Sequence, residues 1–138
     1  MILLDTNVIS ELLRKEPEPA VLAWLDRQPD NDLYFCSVTK AELELGVAML
    51  PDGRRKRQLA QAVTDALAEF EGRCLDYDCE ATANYVAIAS ESRTHGRPMS
   101  VEDMLIAAIA RTNECRLATR NTSDFDFLDS LEIENPWN

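Results

Sequence analysis

Five short strand-like runs recur along the chain with helix-patterned stretches among them. That alternation restricts the fold more than any other feature. The runs are "ILL" at 2–4, "LYFCSV" at 33–38, "CLDYD" at 74–78, "CRLAT" at 115–119 and "LEIEN" at 131–135. The first is apolar throughout, the pattern of a strand buried on both faces. Helical stretches are expected over residues 6–14, 19–27, 39–50, 54–71, 80–94 and 101–112. "EPEP" (16–19), "PDND" (29–32), "PDG" (51–53) and "HGRP" (95–98) break them. Parallel strands need long crossovers, and helices supply them, so the expected fold is α/β with a parallel sheet covered on both faces. A chain of 138 residues suits one compact domain, 1–138.

Composition narrows the function classes. The net charge is −11, from 14 basic and 25 acidic residues. A nucleic-acid binder usually presents positive charge, so any such role here needs metal ions, a local basic cluster or a basic partner. The bland alternative is an acidic surface that keeps the protein soluble. The four cysteines (Cys36, Cys74, Cys79 and Cys115) form no C-x-x-C pair, and His95 is the one histidine. Zinc is therefore not expected, and the cysteines read as reduced packing thiols. No apolar run is long enough for a signal peptide or a membrane span, which points to a cytoplasmic protein without a membrane partner.

In open parallel sheets, function collects at the carboxyl ends of the strands. Asp5 ends the first strand, and Asp124 follows the fourth. Glu42 is expected in the first turn of the helix after strand two, and Asp103 in the first turn of the helix from Ser100. Each has a structural reading. Thr39-x-x-Glu42 has the form of a capping box, Ser100-x-x-Asp103 is a weaker one, and both acids offset a helix dipole. Asp124 and the neighbouring Asp126 can be turn residues. Asp5 fits no such reading, because it interrupts a buried run where an unpaired charge is costly. Periodicity does not say which end of the sheet Asp103 faces.

Taken together, the four acids suggest chemistry. Gathered carboxylates repel one another and drive one of their number to protonate. A hard divalent cation removes that penalty, and the oxygen-rich, imidazole-poor donor set favours Mg²⁺ or Mn²⁺. Such a centre can activate water against a phosphodiester. Thr6, Asn7, Thr119 and Asn121 are placed to orient ligands, waters or a phosphate behind the acids.

Five segments carry a resemblance: "LLDTNVIS", "SVTKAELELGVAMLPDGRR", "SVEDMLIAAIA", "LATRNTSDFDFL" and the closing "IENPW". In order and separation they resemble the PIN-domain family, in particular the VapC-type, FitB-like toxins of bacterial toxin–antitoxin pairs. The resemblance implies a three-layer sandwich around a five-stranded parallel sheet and a Mg²⁺- or Mn²⁺-dependent endoribonuclease. It makes Asp5, Glu42 and Asp103 the first three catalytic, metal-binding acids and Asp124 the fourth. Some relatives instead carry an acid where this chain has Asn121. It also implies a cognate VapB-like antitoxin, an RNA substrate and a homodimer or larger toxin–antitoxin assembly, with operator DNA bound only through the antitoxin. The basic run "GRRKR" (53–57) is either an RNA-backbone contact or a solvated helix start.

Rival readings are weaker. A haloacid-dehalogenase-like enzyme needs Asp-x-Asp after strand one, and Asn7 occupies the second position. A receiver domain needs a phosphoacceptor Asp that "LYFCSVTK" does not offer. The alternative from another class is a catalytically inactive PIN-fold interaction module, which would not require Asp5, Glu42 and Asp103 together.

Overall fold

The computed structural model describes residues 1–138, and its strands run as the alternation predicts. They are β1 (Ile2–Leu4), β2 (Leu33–Cys36), β3 (Cys74–Leu75), β4 (Arg116–Ala118) and β5 (Ile133–Glu134). All pair in parallel, in the order β3-β2-β1-β4-β5. β1 is central: Leu3 lies opposite Tyr34 on one side and Leu117 on the other. The edge strands are two residues long, which leaves little open backbone to template pairing with another chain.

Six helices cover the sheet: α1 (Thr6–Leu12), α2 (Pro19–Asp26), α3 (Ser37–Ala48), α4 (Arg54–Ala68), α5 (Ala81–Thr94) and α6 (Val101–Thr112). Because β1 side chains alternate, Ile2 and Leu4 enter one core with Val8, Trp24, Leu43 and Val63, while Leu3 enters the other with Ile88, Ile106 and Phe125. All three strand residues are completely buried, each contributing roughly 1.5–3 kcal/mol of apolar stabilisation. The result is the expected three-layer sandwich.

Several boundaries differ from expectation. Strand two stops at Cys36, and α3 begins at Ser37 rather than Thr39. Cys36 occupies the N-cap in an extended conformation, so Thr39 already lies inside the helix and no capping box with Glu42 forms. Asp5 caps α1, its side chain accepting from the Thr6 N–H. The capping of α6 by Ser100 is as expected. All four cysteines are free, but only Cys36 and Cys115 are buried; Cys74 and Cys79 are exposed and do not pack the core. No helix is long and apolar enough to cross a membrane.

Candidate active site

The carboxyl end of β1 opens into a polar pocket of about 460 Å³ with Trp137 its one hydrophobic lining residue. Asp5, Glu42 and Asp103 line it, together with Thr6, Asn7 and Asn121. Sequence separation between these residues is large, and the topology closes it. β4 lies beside β1 and carries the loop of Thr119 and Asn121 to Asp5. α3 leaves the carboxyl end of β2, on the other side of β1, and brings Glu42 in its second turn. α6 starts at Ser100, whose hydroxyl accepts from the Asp103 N–H at 3.1 Å, so its first turn is the end that faces the pocket.

Asp5 is held from several directions. It is only 5% exposed. Its Oδ1 accepts from the Thr6 N–H at 2.7 Å and its Oδ2 from Thr119 Oγ1 at 2.7 Å, with Asn7 Nδ2 at 3.4 Å. Thr119 Oγ1 in turn accepts from the Asn121 N–H at 3.1 Å and from Asn7 Nδ2 at 3.3 Å. Glu42 is tied to the same structure, since Thr6 Oγ1 donates to its Oε1 at 2.8 Å and lies 2.9 Å from the buried Thr39 hydroxyl. Thr6, Asn7, Thr119 and Asn121 therefore form the hydrogen-bonded frame behind the acids.

The electrostatics are those of crowded like charges. Burial raises the Asp5 carboxyl above the usual range; the donors Thr119 and Thr6 oppose this, and the charge of Asp124 adds to it. Asp103 is pushed up to about 6, first by burial and then by the charges of Asp5 and Asp124, with Glu42 adding to the rise and Ser100 opposing it. Asp124 itself is exposed, in a 3₁₀ turn at Thr122–Asp124, and does not line the pocket. Its field reaches Asp5 and Asp103, but its side chain stands outside the cavity. No three acidic, histidine or cysteine side chains are gathered closely enough to form a ready-made ligand cage. The donor set nevertheless suits a hard cation, being oxygen throughout and carrying repulsion that positive charge would relieve.

Beyond Asn7, the pocket contains Ser10, Glu11, Arg14, Arg120 and Trp137, to which the sequence reading assigned no role. Asn7, Ser10, Glu11 and Arg14 follow each other at i, i+3, i+4 and i+7, so one polar stripe from α1 to just beyond it lines the cavity. That spacing is legible in the sequence. Glu11 is 5% exposed and accepts from Arg14 Nη1 at 3.0 Å and from the Glu18 N–H at 3.0 Å. Arg120 and Trp137 complete the wall. The basic run 53–57 lies at the start of α4 and does not line the pocket. Trp24 is a core residue, and Tyr77 and Tyr85 meet edge-to-face with each other and pack against the second core.

A profile of the PIN domain matches residues 2–129. The chain is 43% identical over 138 residues to the toxin FitB of Neisseria gonorrhoeae, covering 99% of both. It is also 43% identical over 141 residues to VapC ribonuclease Y4jK of Sinorhizobium fredii, covering 99% of this chain and 98% of that one. It superposes on a solved structure of FitAB bound to an IR36 DNA fragment with a TM-score of 0.91 at 42% identity, over 100% of this chain and 96% of that one. The sheet order, the acids at the strand ends and these matches over almost the full length agree: the chain belongs to the PIN domain family.

Proposed function

We propose that this protein is a VapC-like endoribonuclease toxin that hydrolyses RNA phosphodiester bonds and is held inactive by a cognate antitoxin. One observation carries the reading most directly: Asp5, Glu42 and Asp103, distant in sequence, share one pocket, where burial first and then the neighbouring acids push the Asp103 carboxyl up to about 6. Asp5 also caps α1, but capping does not call for three acids in one pocket, whereas a cation-dependent site does.

Asp5 and Asp103 are the principal candidates to hold Mg²⁺ or Mn²⁺, with Glu42 beside them and Asp124 contributing from outside the wall. When bound, such an ion supplies Lewis-acid chemistry to water and to the phosphodiester, and offsets the carboxylate repulsion. The chain's own residues prepare the site. Thr119 and the Thr6 N–H fix the two oxygens of Asp5, and the Thr6 side chain fixes Glu42, so neither acid must reorganise when substrate arrives. A carboxylate in this set can accept a proton from an attacking water. Asn121 lines the same pocket and offers an amide to water or phosphate.

The partner reading follows from charge and surface. A chain of net charge −11 with an acidic pocket suits a basic antitoxin segment, and the FitAB–DNA structure supports operator DNA bound through that antitoxin. Leu45 on α3 and Met49 at its C-cap, four residues apart, are exposed apolar side chains suited to a homodimer or larger assembly. The system acts in the cytoplasm, on cellular RNA.

The test is expression without antitoxin, comparing wild type with Asp5→Ala and Asp103→Ala for growth arrest and RNA cleavage in Mg²⁺, Mn²⁺ and EDTA. Growth arrest and cleavage that need both acids and the cation support the reading. Equal toxicity from all three chains removes it, and cleavage that survives EDTA removes the metal part.

A further inference from the structure

Two arginines line the acid pocket, and they are not equivalent. Arg14 is paired with the buried carboxylate of Glu11. Arg120 makes no ion pair with any acid of the chain; its guanidinium instead lies 5.2 Å from the centre of the Trp137 ring. Its backbone is anchored, because the Arg120 N–H donates to Asn7 Oδ1 at 3.3 Å and the preceding Thr119 donates to Asp5. The positive charge is thus confined to the reach of one exposed side chain beside the acids.

Trp137 is well placed to direct that side chain. It packs against the first core, and its backbone N–H donates to Asn135 Oδ1 at 2.9 Å. The segment leading to it is pinned in turn, since Glu134 accepts from Trp24 Nε1 at 2.9 Å and from Arg116 Nη1 at 2.9 Å. A cation over an indole face is attracted by the ring quadrupole while keeping its N–H groups free for another acceptor. A guanidinium held this way suits a phosphate, which it can bind through two parallel hydrogen bonds.

We propose that Arg120 binds a backbone phosphate of the RNA next to the one being cleaved, and that Trp137 is the positioning residue that holds the guanidinium over the pocket. This rests on the ribonuclease reading. It answers the charge problem of an acidic chain taking a polyanion, since Arg120 is the one arginine of the acid pocket that no carboxylate of the chain neutralises. A phosphate held on Arg120 would place the strand against Asp5 and Asp103, which line the same pocket.

The experiment is cleavage of a short single-stranded RNA with Mg²⁺ over a salt series, by the full chain and three variants. Arg120 is exposed, so Arg120→Gln leaves the fold intact. It is expected to raise KM about tenfold with kcat within about twofold, and to reduce the salt slope by about one. Trp137→Leu is expected to raise KM in the same direction, whereas Trp137→Phe, which keeps an aromatic face, stays within about twofold of wild type. Should Trp137→Leu fail to fold, Arg120→Gln and Trp137→Phe decide. Active wild type with unchanged KM and salt slope in Arg120→Gln overturns the proposal alone. A fall confined to kcat, or a Trp137→Phe variant as impaired as Arg120→Gln, overturns it too. A wild-type chain that cleaves no RNA overturns the ribonuclease reading and this inference together.

Discussion

Thr6 Oγ1 donates to Glu42 Oε1 at 2.8 Å, joining the first turn of α1 to the second turn of α3. The Thr6 backbone N–H donates to Asp5 Oδ1. One residue thus orients two acids, through its side chain and its main chain.

Thr6→Val keeps the backbone bond and removes the hydroxyl. RNA cleavage is expected to fall about 10- to 100-fold, as when an outer hydrogen-bond partner of a metal ligand is lost. Stability should fall by about 1 kcal/mol, because the buried Thr39 hydroxyl also loses its neighbour. Thr6→Ser restores both. Rates and urea denaturation of the three chains test this, and full activity in Thr6→Val counts against the orienting role.

Thr119 is completely buried and donates to Asp5 Oδ2 at 2.7 Å. Thr119→Val leaves a buried carboxylate oxygen short of its strongest donor, at a cost of about 1–3 kcal/mol near neutral pH. Because Thr119 lowers the Asp5 carboxyl, its loss shifts that group further upward. Denaturation at pH 5 and pH 8 should show the variant weakened more at pH 8, where the carboxylate must be charged.

Asp103 gives a pH dependence of defined sign. Its carboxyl titrates near 6 in the fold and near 3.8 as a free group, so between those values the folded chain binds more protons than the unfolded one. Stability of the metal-free protein therefore declines as pH rises through that window, and the loss is complete above about 6. Asp103→Asn removes the half-buried charge, and with it both the desolvation cost and the repulsion from the neighbouring acids. It should stabilise the metal-free chain at pH 8 by on the order of 1 kcal/mol, allowing for solvent screening, and leave it unchanged below pH 4. The same substitution is expected to abolish RNA cleavage. Mg²⁺ should raise the melting temperature of wild type at pH 8 and do so much less for Asp103→Asn.

Glu11 joins α1 to the start of α2 through Arg14 and the Glu18 N–H. Glu11→Ala frees both partners and opens a void at a site only 5% exposed, with an expected loss of about 1–3 kcal/mol. Thermal unfolding measures it. Glu11→Gln, which can still accept from Glu18, should lose less.

Sheet and helices were legible because their signals are local. Ile2–Leu4 is short, apolar and followed by a helix, and Ser100 is a strong cap wherever its helix packs. Glu42 was legible as an acid beside a strand end, but its turn was not. The helix starts at Ser37 because Cys36 takes an extended cap conformation, which residue type does not announce. Asp103 could not be assigned to one end of the sheet because that depends on how α6 packs beneath Leu117 and Phe125, a tertiary matter. The stripe of Asn7, Ser10, Glu11 and Arg14 was present in the helix spacing, yet polar stripes usually face solvent. Arg120 and Trp137 lie 17 positions apart and meet only because β5 lies beside β4.

The most direct measurement of the central claim is RNA cleavage by the purified chain, with wild type, Asp5→Ala and Asp103→Ala compared in Mg²⁺ and in EDTA. The account predicts cleavage by wild type in Mg²⁺ alone, and a loss of at least about 100-fold in either variant or with EDTA. Cleavage by either variant at the wild-type rate would contradict it.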